Sequence, residues 1–186
     1  YHVPQDAKIV MFAPTFRGGS QKGQRSVFAE EPTLDFEMLT ETLKQKFGGE
    51  WYVFLRLHPQ LSAKLEGMSL SKKVENMIDV SQADDMNEVM AAADVFITDY
   101  SSSAFDAINV HMPVFLYADD LQDYLGERGS LMWDMYALPF TVAETNEKLK
   151  SNITQFDGDK YKIEINAFLQ EHGVLEDGKA SARVAE

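Results

Sequence analysis

Apolar residues in this chain gather in short, nearly continuous runs, separated by longer stretches with helical spacing. Ala7–Ala13, Trp51–Leu57, Met77–Val80, Val95–Ile97 and Pro113–Tyr117 are almost wholly apolar. Runs this short without alternation predict strands covered on both faces. Pro14 ends the first run, and His58-Pro59 ends the second. Between the runs the spacing turns helical. Phe36, Leu39, Leu43 and Phe47 follow Thr33, the expected N-cap, and Gly48-Gly49 supplies the stop. Asp85-Met-Asn-Glu88 has the reciprocal capping-box pattern, with Met86, Val89 and Met90 as an apolar face. Further helices are predicted from Asp119-Asp120 to Leu125, from Thr145 or Asn146 to about Phe156, and from Asp159 to Glu171. A last one starts within Asp177–Glu186. Residues 126–142 read as irregular, with Trp133, Tyr136 and Phe140 over one edge of the core. Strands alternating with helices predict an α/β fold, a doubly wound parallel sheet, in one domain over residues 1–186.

The most informative stretch runs from Asp94 through Val-Phe-Ile-Thr-Asp-Tyr-Ser-Ser-Ser-Ala-Phe to Asp106. A buried strand leads straight into serines that precede the apolar positions Ala104, Phe105, Ile108 and Val110. Ser101, Ser102 or Ser103 caps the helix. Its first amides lack internal acceptors, and small hydroxyl side chains let a phosphate approach. Asp106 lies about one turn further on, placed to accept from sugar hydroxyls. The same residues also read as an ordinary N-cap after a core strand.

Charge narrows the partners. The chain carries a net charge of −13, all of it beyond residue 60; the first 60 residues hold seven basic and seven acidic side chains. Such a balance disfavours tracking a nucleic-acid backbone. A small anion must be held locally, and Arg17, Arg25, Arg56 and His58 are the candidate cations, all in the neutral first third. Arg17 sits in the Gly-rich loop Thr15–Arg25, just past the first strand. His58 follows the second strand. Both therefore belong to the carboxyl edge of the sheet, where open α/β sheets bind ligands. His2, His111 and His172 have no such placement. Cysteine is absent, which removes disulfides and thiolate chemistry. No G-x-G-x-x-G, P-loop, H-E-x-x-H or G-x-S-x-G pattern occurs. Asp84-Asp85 and Asp119-Asp120 read as helix-start acids rather than a metal cage, so neither metal nor cofactor is expected. No apolar run is long enough to span a bilayer and residues 1–15 lack a signal-peptide pattern, so any membrane attachment is expected outside this chain.

Taken in order, Ala13-Pro-Thr-Phe-Arg17, Leu55-Arg-Leu-His-Pro59 and Thr98-Asp-Tyr-Ser-Ser102 with Phe105-Asp106 resemble the CDP-glycerol glycerophosphotransferase family, the teichoic-acid primases and polymerases. Leu138-Pro-Phe140 and Asp177-Gly-Lys-Ala-Ser181 are weaker markers of the same resemblance. The match runs from about Lys8 to Val184. Ser103-Ala104 departs from the family habit of a larger apolar residue after two serines.

The resemblance implies a Rossmann-like sheet, the C-terminal, donor-nucleotide half of a GT-B-like enzyme. It implies transfer of glycerol phosphate from CDP-glycerol to a hydroxyl of a lipid-linked polyol-phosphate or glycan acceptor, releasing CMP. On matching positions it places Arg17 and His58 as catalytic and diphosphate-binding residues, with Ser101 and Ser102 on the diphosphate and Asp106 on the ribose. Thr98 joins the substrate-binding set. An N-terminal acceptor domain, holding the base, would complete the enzyme. The expected location is cytoplasmic, peripheral on the inner face of the cell membrane in the full-length protein. Three alternatives stay open: a CDP-ribitol donor, a UDP-sugar GT-B transferase, and a non-catalytic ligand-binding domain.

Overall fold

The computed structural model describes residues 1–15, 32–57, 75–128 and 130–185. In it, β1 (Lys8–Phe12), β2 (Trp51–Leu55), β3 (Met77–Asp79), β4 (Val95–Thr98), β5 (Val114–Tyr117) and β6 (Thr141–Ala143) form one sheet in the order β3-β2-β1-β4-β5-β6. Every neighbouring pair is parallel. The expected doubly wound α/β sheet is therefore present. Alternation of side chains explains why the strands read as apolar throughout. Ile9, Met11, Phe96, Val114 and Leu116 enter one core, while Val10, Phe12, Ile97, Phe115 and Tyr117 enter the other.

The helices divide between these faces. α1 (Phe36–Phe47) and α5 (Asn146–Thr154) cover the second core through Leu39, Leu43, Leu149 and Ile153. α2 (Met86–Ala91), α3 (Ser103–Ile108), α4 (Leu121–Arg128) and α6 (Gly158–Glu171) cover the first, with Met90, Ile108, Leu121, Tyr161 and Ile165 buried in it. A short 3-10 turn, Met135–Ala137, precedes β6, and α7 (Ala180–Ala185) buries no residue.

Several boundaries differ from expectation for local reasons. Asp35, not Thr33, caps α1 by accepting from the Met38 amide. Thr33 instead donates to Asp119 and meets the Tyr117 hydroxyl. Asp85 caps α2 through the Asn87 amide, so the reciprocal Glu88 arm of a capping box is not what starts that helix. Asp157 starts α6 one residue earlier than expected, accepting from the Asp159 and Lys160 amides; the Lys160 amide is the main cause of its lowered pKa. Val110, read as part of an apolar face, is 70% exposed because α3 ends at Ile108. Tyr136 is also exposed, whereas Phe140 is buried as expected.

One buried polar joint links the two halves of the first core. Tyr161 on α6 donates to the Met112 carbonyl at 2.8 Å and accepts from the Val114 amide at 3.2 Å. Burial pushes its phenol pKa well up from 10.0. A raised folded pKa means that Tyr161 contributes stability fully below pH 10 and loses it as pH rises further. Tyr161→Phe is therefore expected to cost roughly 1–3 kcal/mol at neutral pH, by stranding two backbone groups. It should also flatten the alkaline loss of stability, which urea titrations at neutral pH and above pH 10 would measure.

Candidate ligand site at the strand-order reversal

Chain order turns back between β1 and β4, and in doubly wound sheets ligands occupy the crevice beyond the carboxyl ends at that point. Here the crevice is built from Ala13–Thr15 on one side and Thr98–Ser103 on the other. The two sides are tied together. The Ala13 amide donates to the Ile97 carbonyl at 3.0 Å. Thr98 donates its hydroxyl to the Ala13 carbonyl at 2.7 Å. Asp99 accepts from the Thr15 amide at 2.8 and 3.0 Å, from the Thr15 hydroxyl at 2.5 Å and from the Tyr100 amide at 2.6 Å.

This places the expected residues differently from one another. Thr98, read as a substrate contact, is 0% exposed with its hydroxyl spent on Ala13, so it braces the seam instead. Asp99, which the sequence reading did not single out, is 97% withdrawn from solvent and joins the two loops at the crevice floor (3% exposed). The signal available was its place between a strand end and a serine run. Its partner, Thr15, lies 84 positions away and carries no local pattern.

Ser101 is half-buried and Ser102 exposed. The Ser101 hydroxyl pairs with that of Ser103 at 2.7 Å and accepts from the Ser103 amide at 3.3 Å. Ser102 occupies the cap position with helical dihedrals and makes no side-chain cap bond. Among the described residues, no protein acceptor takes the backbone N–H of Ser101 or Ser102. Because α3 is only six residues long, its dipole is short, and the attraction for an anion rests on these two N–H groups and the Ser102 hydroxyl. Asp106 is exposed in the first turn of α3. A cavity of about 130 Å³ adjoins the turn, walled by Tyr100, Ser101, Ser102, Phe105, Trp133 and Phe140 among others. A larger open hollow of about 620 Å³, between the start of β6 and α6, is lined by none of the expected site residues among those described.

Arg17, Arg25 and His58 lie outside the described residues. Arg56 is described, and it does not face an anion. Its Nη1 donates to the carbonyls of Val80, Ser81 and Ala83 at 2.8, 3.3 and 2.6 Å, latching the β3–α2 connection to the end of β2. Among the described residues no group of three or more metal-binding side chains occurs, and no helix is long and apolar enough to cross a membrane.

The chain is similar to known proteins over nearly all of its length. It is 32% identical to the teichoic acid poly(ribitol-phosphate) polymerase of Bacillus spizizenii, covering 100% of this chain and 28% of that protein. It is 29% identical to the teichoic acid poly(glycerol phosphate) polymerase of the same organism, covering 99% and 45%. Thus the chain spans about a quarter to a half of the length of these relatives. The structure superposes on the wall teichoic acid polymerase TagF with a TM-score of 0.73 and 30% identity, covering 98% of this chain and 43% of TagF. A TagF variant soaked with CDPG gives 0.71 and 29%, covering 98% and 42%. The model of the CDP-Glycerol:Poly(glycerophosphate) glycerophosphotransferase family matches residues 1–186, and the chain belongs to that family.

Proposed function

We propose that this chain forms the CDP-glycerol site of an enzyme that transfers glycerol phosphate to a hydroxyl of a teichoic-acid-type acceptor and releases CMP. The observation that carries the reading is the pair of backbone N–H groups at Ser101 and Ser102 that find no acceptor among the described residues, placed at the strand-order reversal. Family membership and the TagF variant soaked with CDPG support a CDP-linked ligand there. In this reading the diphosphate lies against the Ser101–Ser102 turn, and Asp106 accepts from the ribose hydroxyls. Arg17 and His58 follow the carboxyl ends of the first two strands in sequence, and the reading gives them the charge on the phosphates.

The chemistry is attack by an acceptor hydroxyl oxygen on the phosphorus bonded to glycerol. A new P–O bond forms, the bond to the bridging oxygen breaks, and CMP departs with that oxygen. The hydroxyl proton passes to a base, which the family resemblance assigns to an acceptor-binding half. Negative charge grows on the departing phosphate, so donors already aimed at it lower the barrier. His58 serves as hydrogen-bond donor or acid toward that group.

A ribitol donor is the second reading. The poly(ribitol-phosphate) polymerase relative favours it, and a site that grips CDP discriminates little between alditols. Work at the inner face of the cell membrane belongs to the same proposal.

Calorimetric titration with CDP-glycerol, CDP-ribitol, UDP-glucose and cytidine tests the reading. CDP-alditols should bind more tightly than UDP-glucose; equal binding of all four ligands refutes it. Ser102→Leu places an apolar side chain on an exposed cap position and should keep the thermal midpoint near the parent value. It should weaken CDP-glycerol by about tenfold or more through lost donors and steric exclusion. Arg17→Ala and His58→Ala should each weaken CDP-glycerol more than cytidine, since both are assigned to phosphate. Equal losses for the two ligands would contradict that assignment.

A further inference from the structure

Tyr100 separates the buried carboxylate of Asp99 from the serines, yet its side chain turns toward the next strand's end. Its hydroxyl donates to Asp120 Oδ1 at 2.8 Å. Its ring stacks on Tyr124, with centroids 3.8 Å apart and planes 16° from parallel. Asp120 immediately precedes α4, and its carbonyl accepts from the Tyr124 amide at 2.8 Å. The three residues thus close a ring of contacts: hydroxyl to carboxylate, carbonyl to amide, and ring to ring. One side of that ring is the turn carrying Ser101, and the other is the start of α4.

We propose that Tyr100 is a positioning residue for the anion site, fixing the direction in which the Ser101 and Ser102 N–H groups point. Three features carry the inference. The Ser101–Ser102 turn has no side-chain cap bond from Ser102 to hold it. The Ser101 hydroxyl is engaged within the turn, with Ser103, so it supplies no external anchor. Asp99 ties the turn to the β1 side through Thr15. Tyr100 supplies the opposing anchor through Asp120 and Tyr124, on the β5 side. A hydrogen bond and a stacked pair on that side resist rotation of the turn about the Asp99 clamp. Donors that must meet a phosphate within a few tenths of an ångström depend on such restraint.

The proposal rests on the anion-site reading above, and its test separates the two. The full chain and its variants would be titrated calorimetrically with CDP-glycerol and with cytidine, and each variant's thermal midpoint recorded. Tyr100→Phe retains the stacking and loses the hydroxyl. It should weaken CDP-glycerol by about fivefold while leaving cytidine within about twofold. Asp120→Asn retains an acceptor oxygen and should restore affinity close to that of the parent, whereas Asp120→Leu should reproduce the Tyr100→Phe loss. A merely structural role would lower the thermal midpoint and both affinities together, and that result overturns the proposal. So does unchanged CDP-glycerol binding by Tyr100→Phe when the parent chain binds. If the parent chain binds no CDP-glycerol, the anion-site reading itself fails, and this inference fails with it.

Discussion

The seam between β1 and β4 is the constraint on which the site depends. It is pinned at both ends by carboxylates from one short stretch of chain. At the start of β4, Asp94 accepts from the Ile9 amide at 2.8 Å while its own amide donates to the Ile9 carbonyl at 2.8 Å. At the far end, Asp99 takes the Thr15 amide and hydroxyl, and Thr98 takes the Ala13 carbonyl. The residues between are buried, so a broken bond there has no water to replace it, and each stranded group costs about 1–3 kcal/mol. The result is mechanical. The loop leaving β1 at Thr15 and the turn leaving β4 at Asp99 start from a common rigid base, although 84 residues separate them along the chain.

That arrangement explains what could and could not be read from the residues. The strands were legible because both faces of the sheet are covered, which leaves no polar positions to break the apolar runs. β6 was not, since Thr141-Val-Ala143 is three residues long and its first residue is exposed. α3 and α6 were recognisable from capping chemistry to within a residue or two, while Thr33 misled because a threonine before an apolar run has other partners to choose. Its hydroxyl found Asp119 and Tyr117, across the sheet's carboxyl edge. Thr98 and Asp99 show the limit most clearly. A hydroxyl and a carboxylate at a strand end look equally available in sequence, and only the structure pairs them with Ala13 and Thr15 across the seam. Ser101 and Ser102 were read as an anion site from small side chains at a helix start. The two bear on that expectation unequally, since Ser101 is hydrogen-bonded within the turn and Ser102 stays exposed.

Charge sets the remaining terms. A chain of net charge −13 repels an anion at long range, so under the proposed reading the site holds the diphosphate through short-range contacts. Arg56, the described cation nearest in sequence to the carboxyl edge of β2, neutralises three carbonyl dipoles and thereby holds the β3–α2 connection. Asp99, Asp119 and Asp120 accept from the hydroxyls of Thr15, Thr33 and Tyr100, whereas Asp106 is exposed in the first turn of α3. Under the proposed reading this separates the ligand's two chemistries in space. Backbone N–H groups of the serine turn then take the phosphates, and the reading assigns Arg17 and His58 to the same charge. Asp106, exposed in the first turn of α3, then faces the ribose hydroxyls, whose protons it can accept without desolvating a second anion. Under the same reading an acidic domain holds a dianion without a large basic patch, provided that its few donors are fixed in direction, and the proposed bracing on both sides of the serine turn is what supplies that condition.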